Sequence, residues 1–159
     1  MTIRLVLANP AKDAPDLTGA AKVLVPDDPF EEGVWGEDSI DAYWIMDGDE
    51  RIGVLVTERD VSIAPTYAEE SLRSPGNLYL CLIGVFPARQ RQGIAREAFA
   101  LIVAHARETG MHNIQSNLRE SNLSSLRFHE AVGFMPAGRI EGYYPNPKED
   151  TLVMNFLLP

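Results

Sequence analysis

The stretch RQRQGIA, Arg89 to Ala95, surrounds a glycine with arginine and glutamine side chains directly after the apolar run LYLCLIGVF. Three interpretations compete: an ordinary connecting turn, a basic patch for nucleic acid, and a loop whose backbone N–H groups hold an anion. The third is possible because the first N–H groups of a helix have no partner within the helix and carry partial positive charge. A glycine before a helix is weak evidence alone, and both the Lys-Ser/Thr pair of a P-loop and a G-x-G-x-x-G sequence are missing.

A second polar pattern lies in SNLSSLRFHEAV, where Asn122, Ser125 and His129 are spaced three and four residues apart. On a helix this spacing places the three side chains on one face. A polar stripe on a largely apolar helix needs either solvent or a polar ligand beside it. The spacing alone leaves both possibilities open.

Composition narrows the class of protein. The chain has 159 residues and a formal net charge of −9, so the cationic surface that dominates nucleic-acid affinity is missing and no nucleic-acid partner is expected. An acidic surface suits solubility and cationic partners such as amines. Cys81 is the single cysteine, which excludes an intrachain disulfide and favours a core role. With no signal-peptide pattern and no membrane-length apolar run, we expect a cytoplasmic protein with no membrane partner and a single domain, residues 1–159.

The sequence around the two polar patterns predicts a mixed order of helices and strands. The run from Leu78 to Phe86 is apolar on both faces, which is typical of a central strand. A helix is expected from Arg91 to Glu108, because small or apolar residues recur there at helical spacing: Ile94, Ala95, Ala98, Leu101, Ile102 and His105. The other predicted elements are strand TIRLVLA, helix DLTGAAKVL, loop VPDDPFEEGVWGED, a hairpin turning at DGDE, strand NIQSNL, helix SNLSSLRFHEAV, and strands MPAGRIEGYY and DTLVMNFLL.

Two segments together resemble a known family. VFPARQRQGIA resembles the [Q/R]-x-x-G-x-[G/A] signature of the GNAT superfamily of N-acetyltransferases, with Gln90, Gly93 and Ala95 in the defining positions. NLSSLRFHEAVGF resembles the second marker of that superfamily, usually N-x-x-A-x-x-x-Y-x-x-x-G-F. The two motifs occur in the right order, with a helix and a strand between them, and cover roughly the last half of the chain.

The resemblance implies a fold and a donor site. The fold is a GNAT-like α/β architecture: a mixed, twisted, largely antiparallel sheet with a central splay, flanked by helices, with acetyl-CoA in the gap. Backbone groups near Val85 would meet the pantetheine arm, and the loop amides would hold the pyrophosphate, with Gly93 allowing the close approach. Arg89 and Arg91 would be phosphate neighbours or merely solvated. The implied donor contacts are Val85, Phe86, Gln90, Arg91, Gln92, Gly93, Ile94, Ala95, Asn122 and Ser125, and no metal is expected.

His129 occupies the position where the family usually carries a tyrosine that protonates the departing thiolate. An imidazole could do this chemically, since its usual pKa of about 6.5 lies below the ~8.5 of a thiol. His129 is therefore the candidate catalytic residue, although the thiolate could leave without a dedicated acid or His129 could only pack beside the pantetheine. Removing a proton from the attacking amine needs a base, and the strand Leu78–Val85 contains no acid. The candidates elsewhere are Glu31, Glu32, Glu37, Glu58, Asp60 and, through water, Asn117.

The predicted function is transfer of an acetyl group from acetyl-CoA to a primary amine by direct attack in a ternary complex. Acceptor specificity would lie in DDPFEEGVWGED, whose acids, Phe30 and Trp35 could form an entrance for a cation, and in GYYPNPKED. The aromatic residues of the first segment could equally lie in the core. Two alternatives remain: a non-catalytic acyl-CoA-binding or sensing module, and a structural domain without CoA. The acceptor's identity is open, and the protein could be a monomer or a homodimer.

Overall fold

The computed structural model describes residues 1–28 and 30–159. Pro29, in the middle of the predicted loop VPDDPFEEGVWGED, lies outside the described residues. Short 3-10 helices cover Glu32–Gly36 and Pro87–Arg89. The main elements are β1 (Ile3–Leu7), α1 (Pro10–Leu24), β2 (Ile40–Asp47), β3 (Glu50–Ser62), β4 (Leu72–Val85), α2 (Ile94–Glu108), β5 (Asn113–Arg119), α3 (Leu123–Val132), β6 (Met135–Pro145) and β7 (Lys148–Leu157).

The strands follow the order β1-β2-β3-β4-β5-β7-β6 in a seven-stranded sheet. β1 with β2, β2 with β3, β5 with β7 and β6 with β7 are antiparallel pairs. β4 and β5 run parallel, in register from Asn77↔Asn113 to Tyr79↔Gln115. The predicted mixed, largely antiparallel fold flanked by helices is confirmed.

Contacts divide the chain into two compact units. The first contains Met1–Glu58 and Cys81–Ile102, and the second contains Arg59–Leu80 and Val103–Pro159. The prediction of one domain over residues 1–159 stays a prediction.

In the first unit, α1 packs on apolar residues of β2, β3 and β4, because burying these side chains removes their surface from water. The buried members of this cluster are Ala8, Leu17, Ala20, Ala21, Trp35, Ile40, Ala42, Trp44, Val54, Val56 and Leu82.

A close approach of two strands leads into the loop after β4. A Cβ atom on Gly53 would lie 2.2 Å from the carbonyl oxygen of Gly84, so only glycine fits at this point of β3. One step further, the N–H of Phe86 donates to the carbonyl of Ile52 at 2.9 Å. The end of β4 and the start of the loop are thereby held against β3.

The second unit is held by amide side chains and helix caps. Asn113 Nδ2 donates to Asn77 Oδ1 at 2.7 Å and to Asn155 Oδ1 at 3.1 Å, which joins β4, β5 and β7. Asn122 caps α3 by accepting from the N–H of Ser125 at 3.1 Å. Gly133 ends the helix with a left-handed φ of 110°. Both ends of this helix lie where the sequence predicted them.

Several element boundaries differ from the prediction. α1 begins at Pro10 and not at Asp16, because Asn9 caps it and a proline is preorganised for the first helical position. α2 begins at Ile94 and not at Arg91, because Arg91 and Gly93 have left-handed φ angles of 63° and 76°.

The buried face of α2 also differs from the prediction. Leu101, expected on that face, is 39% exposed, and His105 is exposed as well. The buried residues of α2 are Ile94, Ala98, Phe99, Ile102, Val103 and Ala106. β4 begins at Leu72, six residues before the predicted Leu78, in a segment that the sequence pattern left unassigned.

Candidate active site

The loop Gln90–Ala95 presents backbone amides at the start of α2. The left-handed residues Arg91 and Gly93 alternate with residues of other conformation, an arrangement that turns successive N–H groups toward one side and favours an anion. A Cβ atom on Gly93 would meet nothing within 4 Å. Glycine is therefore required here by its φ of 76° and not by crowding. The N–H of Glu97 donates to the carbonyl of Gly93 at 3.2 Å, a helical hydrogen bond at the start of α2. The first N–H groups of a helix generally point away from its own carbonyls and can bind other groups.

The side chains of this loop serve several purposes. Gln90 Nε2 donates to the carbonyl oxygen of Val85 at 2.9 Å and so ties the loop to the end of β4. Ile94 is only 2% exposed, so its side chain lies in the core and only its backbone could face a ligand. The side chains of Arg91 and Gln92 are exposed, whereas Ala95 is half-buried. The predicted donor contacts of this segment are thus gathered in one loop, and their contacts with a donor stay predictions.

The polar side chains of α3 form hydrogen bonds with other groups of the protein. His129 is 4% exposed. Its Nδ1 lies 2.7 Å from the carbonyl oxygen of Ser125, and its Nε2 lies 2.9 Å from Ser116 Oγ. Because a carbonyl oxygen only accepts, Nδ1 carries the proton and Nε2 accepts from the hydroxyl of Ser116. In this tautomer Nε2 has no proton to donate.

Burial lowers the pKa of His129 below its usual value of 6.5, and the hydrogen bond to the Ser125 carbonyl opposes that shift only in part. The ring also packs against Phe134, with ring centroids 4.8 Å apart. The imidazole is therefore neutral at pH 7 and enclosed by protein groups. The proton-donor role assigned to His129 by sequence stays a prediction, as do the donor contacts of Asn122, which is exposed, and of Ser125, which is half-buried.

A cluster of hydroxyl and amide groups, which we call the polar network, is formed by Tyr79 (β4), Asn117 (β5), Tyr144 (β6) and Thr151 (β7). The Tyr79 hydroxyl donates to Asn117 Oδ1. Asn117 Nδ2 donates to the Tyr144 hydroxyl at 3.0 Å and to Thr151 Oγ1 at 3.1 Å. Because the proton of Tyr79 is held by Asn117, the lone pairs of its oxygen can accept from another donor.

Sequence reasoning indicated two members of this network: Asn117, as one of several candidate bases, and Tyr144, within the predicted acceptor segment GYYPNPKED. Tyr79 and Thr151 received no role because they lie in different strands and nothing local links them. The alternation along NIQSNLR offered one signal, since it places Gln115, Asn117 and Arg119 on the same face of β5. A polar side chain at every second position of a strand needs a polar partner when that face is covered.

The ring of Tyr144 is also contacted by Arg119. The guanidinium of Arg119 lies 4.1 Å from the centre of the Tyr144 ring and donates to the carbonyl of Pro147 at 2.9 Å. Arg119 also pairs with Glu149 at 3.4 Å, and hydrogen bonds from Ser121 together with Arg119 lower the pKa of that carboxyl. The predicted acceptor segment GYYPNPKED therefore lies next to the polar network.

The other predicted acceptor segment differs from the cation entrance expected of it. Trp35 is 1% exposed, its Nε1 donates to Thr18 Oγ1 at 2.9 Å, and Phe30 stacks on its ring at 5.2 Å between centroids. Trp35 is thus a core residue, as in the alternative interpretation of this segment.

Two of the candidate bases hold structural hydrogen bonds: Glu58 accepts from the hydroxyl of Ser39, and Asp60 accepts from the N–H of Gly76. Among the described residues, no helix combines the length and apolar character needed to cross a membrane.

The fold and the loop define a class of protein: a mixed α/β protein with an amide-lined loop between a central strand and a helix. The family model described as the Acetyltransferase (GNAT) family matches residues 15–134. The chain belongs to this family.

Individual relatives agree with that family. The chain is 30% identical over 74 residues to the [ribosomal protein bS18]-alanine N-acetyltransferase of Escherichia coli strain K12, a match covering 45% of this chain and 50% of that relative. The chain thus spans about half the length of the curated relatives it matches. The crystal structure of the Escherichia coli ribosomal-protein-S18-alanine N-acetyltransferase has a TM-score of 0.78 at 17% identity, covering 99% of this chain and 94% of that chain.

Two further solved structures share the fold. The Bacillus subtilis acetyltransferase in complex with CoA has a TM-score of 0.77 at 16% identity, covering 99% of this chain and 100% of that chain. Arabidopsis thaliana NAA60 in complex with acetyl-CoA has a TM-score of 0.79 at 16% identity, covering 99% of both chains.

Proposed function

We propose that this protein transfers an acetyl group from acetyl-CoA to a primary amine. The observation that carries the proposal is the Gln90–Ala95 loop, which combines two left-handed residues, Arg91 and Gly93, with the N-terminus of α2. Backbone amides in such an arrangement bind the pyrophosphate of a nucleotide without needing a cationic side chain. Membership of the GNAT family supports acetyl-CoA as the donor, since members of the same fold have been solved with CoA or acetyl-CoA bound.

In this proposal the donor contacts are the residues that the family motifs indicate. Loop amides from Arg91 to Ala95 hold the phosphates, and backbone groups near Val85 and Phe86 meet the pantetheine arm. The Phe86 N–H donates to Ile52 and its carbonyl accepts from the Arg89 N–H at 2.9 Å, so the pantetheine arm would have to share that carbonyl with Arg89. Gln90 then acts through its hydrogen bond to Val85, as a support of the loop rather than as a ligand.

The acceptor amine would bind at the polar network. The oxygen of Tyr79 can accept from an amine, because its own proton is already donated to Asn117. The hydroxyls of Tyr144 and Thr151 hold the Asn117 amide in one orientation. An ordered network of this kind orients a nucleophile without paying for reorganisation during the reaction.

The chemistry balances without a covalent enzyme intermediate. The amine nitrogen attacks the thioester carbonyl carbon, a C–N bond forms and the C–S bond breaks, so that an amide and a thiolate result. The nitrogen loses one proton and the sulfur gains one. No carboxylate belongs to the polar network, so the proton of the amine would leave through its hydroxyls and water.

His129 has a different part in this proposal. As a neutral, buried imidazole bonded to Ser116 and Ser125, it supports β5 and α3 beside the site. A direct role as proton donor to the thiolate would require Ser116 to move, because the hydroxyl of Ser116 contacts Nε2. The cytoplasmic address and the oligomeric state stay predictions.

The test is turnover of acetyl-CoA measured by release of free thiol, with a panel of amines. The panel contains a peptide with an N-terminal alanine, the same peptide blocked at its N-terminus, a lysine-containing peptide and a polyamine. Thiol release that depends on one of these amines, with the acetylated amine identified by mass spectrometry, would support the proposal. Binding of acetyl-CoA without turnover of any amine would favour the sensing module instead.

The peptide arm of the panel follows from the relative that acts on a ribosomal-protein alanine. The blocked peptide is its matched control, because it keeps the sequence and removes only the free amine. Acetylation of the lysine-containing peptide at its side chain would assign a side-chain amine as the acceptor.

A further inference from the structure

Arg89 holds two carboxylates of the β2–β3 hairpin immediately before the Gln90–Ala95 loop. Its Nη2 lies 2.6 Å from Asp47 Oδ2, and its Nη1 lies 2.5 Å from Glu50 Oε2. These two acids flank the Gly48-Asp49 turn. We call the three side chains of Arg89, Asp47 and Glu50 the Arg89 clamp. The clamp joins this hairpin turn to the segment that leads into the loop.

The clamp engages both arms of the guanidinium. The side chains of Arg89 and Asp47 are only 21% and 25% exposed, whereas Glu50 is 61% exposed. The hydrogen bond from Arg89 lowers the pKa of Asp47, and Asp47 in turn raises the pKa of Arg89. A guanidinium held between two carboxylates has its charge compensated and a donor of each Nη group in use. Arg89 is therefore not a free cation for a phosphate, which was one of its two interpretations from sequence.

The loop beyond the clamp has an unfavourable backbone that needs support. Arg91 has a φ of 63°, a conformation that costs a non-glycine residue free energy and persists only when the surroundings enforce it. Phe86 is fixed to Ile52, Gln90 to Val85 and Arg89 to its two acids. Only four residues, 90–93, connect the clamp to the start of α2 at Ile94.

We propose that Arg89 is a positioning residue, which holds the loop in the conformation that presents its amides to the phosphates of the donor. This inference rests on the proposed function. Arg89 acts through Asp47 and Glu50 and does not touch the donor. Fixing a loop before binding increases affinity because the ligand no longer has to order it.

The proposal can be separated from direct phosphate binding by the sign of one effect. If Arg89 bound phosphate directly, replacing the two acids by neutral amides would free its charge and tighten donor binding. If Arg89 positions the loop, the same replacement breaks the clamp and weakens donor binding. General electrostatics alone would also predict tighter binding, since the change removes two negative charges near a polyanion.

The experiment compares Arg89→Gln, the double variant Asp47→Asn/Glu50→Gln and the triple variant with the wild type. The dissociation constant for acetyl-CoA is measured by calorimetry. The kcat/KM for acetyl transfer is measured with acetyl-CoA and with S-acetylpantetheine, which lacks the phosphates. Arg4→Ala is the matched control, because Arg4 donates to the carbonyl of Gly48 in the same turn at 2.7 Å but does not belong to the clamp.

We expect Arg89→Gln and the double variant each to weaken acetyl-CoA binding about tenfold, the scale of one charge-assisted contact. The triple variant should be no weaker than Arg89→Gln, because all three changes break one clamp. Transfer from S-acetylpantetheine and the behaviour of Arg4→Ala should stay within about twofold of the wild type.

Tighter acetyl-CoA binding by the double variant would overturn the positioning role and assign Arg89 to a phosphate. An equal loss with S-acetylpantetheine would also overturn it, because the clamp would then support the fold in general. If the wild type itself failed to bind acetyl-CoA, the proposed function would fail and the positioning role with it. If Arg89→Gln does not fold, the double variant alone still distinguishes the two roles, because its acetyl-CoA affinity falls if Arg89 positions the loop and rises if Arg89 binds phosphate.

Discussion

The Gln90–Ala95 loop and the polar network are built from different parts of the chain. The loop lies in the first unit and offers backbone N–H groups from consecutive residues, whose directions follow from the left-handed φ angles of Arg91 and Gly93. The polar network lies in the second unit and consists of side chains from four strands, each already hydrogen-bonded to another. The loop offers backbone groups whose directions depend on local conformation, with the Arg89 clamp as a tertiary support, whereas the network consists entirely of side-chain contacts between strands.

The two regions should therefore respond differently to substitution. A change of one backbone conformation in the loop alters several amides together, so one residue can abolish its capacity for an anion. A change in the network removes some hydrogen bonds and leaves others, so its effect is graded. We therefore expect loop variants to affect donor affinity and network variants to affect the rate of transfer.

Gly93→Glu should give the largest effect. The new side chain must adopt a φ of 76°, which costs an L-residue about 1–2 kcal/mol, and it adds a negative charge where phosphate would bind. We expect the dissociation constant for acetyl-CoA, measured by calorimetry, to rise at least about 100-fold, with circular dichroism unchanged.

Gly93→Ala is the matched control, because its Cβ atom enters open space and adds strain without charge. We expect it to weaken binding by about tenfold or less. If Gly93→Glu folded and bound acetyl-CoA as the wild type does, the loop would not be the phosphate site.

Asn117→Leu should give the next largest effect, and on a different quantity. Leucine removes the acceptor for Tyr79 and both donors to Tyr144 and Thr151, so these hydroxyls lose their fixed orientation. We expect kcat to fall about 10- to 100-fold, at or below the lower limit of the ~10²–10⁴-fold of a positioned acid–base group because Asn117 acts through the hydroxyls, while acetyl-CoA affinity stays within about twofold. If the variant lost only acetyl-CoA affinity and kept its kcat, the polar network would belong to the donor site and not to the acceptor site.

His129→Phe should act mainly on stability. The variant leaves the buried hydroxyl of Ser116 without its imidazole partner, which costs about 1–3 kcal/mol in the free energy of unfolding at pH 7. Acetyl-CoA affinity should change little. A large fall in kcat at unchanged stability would instead support the direct catalytic role predicted from sequence.

The same variant should change the pH dependence of stability. Because burial lowers the pKa of His129 below 6.5, the unfolded chain takes up a proton that the folded chain does not. Above about pH 6.5 the buried histidine does not lower the free energy of unfolding. Below that pH the free energy of unfolding falls by at most about 1.4 kcal/mol per pH unit, and the fall ends when the imidazole of the folded protein also takes up a proton. The stability difference between the wild type and His129→Phe, from urea titrations, should shrink between pH 7 and pH 5. A constant difference would mean that burial does not keep the ring neutral.

Gln90→Ala should give the smallest effect. It removes one hydrogen bond to Val85, from a side chain at the surface, and leaves the φ angles of Arg91 and Gly93 to be held by other contacts. We expect acetyl-CoA binding to weaken about two- to fivefold, the scale of one neutral hydrogen bond. A loss as large as that of Gly93→Glu would mean that Gln90 itself binds the donor.

The sequence predicted the parts of the molecule that local patterns determine. The hairpin at DGDE, the helix α3 between Asn122 and Gly133, and the loop before α2 were all found from turn and cap residues within a few positions of one another. The start of α1 was missed although its signals were local: Asn9 as cap and Pro10 at the first helical position. The helical pattern was read from DLTGAAKVL alone.

The remaining parts depend on partners that are distant in the chain. The hydrogen bond between Tyr79 and Asn117 joins residues 38 positions apart, and Arg89 meets Asp47 across 42 positions. A single sequence gives no register for such pairs. The motif likewise indicated His129 on α3, but its partner Ser116 comes from β5 and was not predicted. Which group a side chain faces is a property of the packed strands.

The most direct test of the loop as a donor site is a calorimetric titration of the wild type with acetyl-CoA, with CoA and ATP as controls. We predict binding of acetyl-CoA and CoA at about micromolar dissociation constants and little binding of ATP, because ATP lacks the pantetheine arm that would add contacts with backbone groups near Val85. Absence of acetyl-CoA binding by the folded protein would contradict the account, because the loop would then have kept the family's backbone conformation without its ligand.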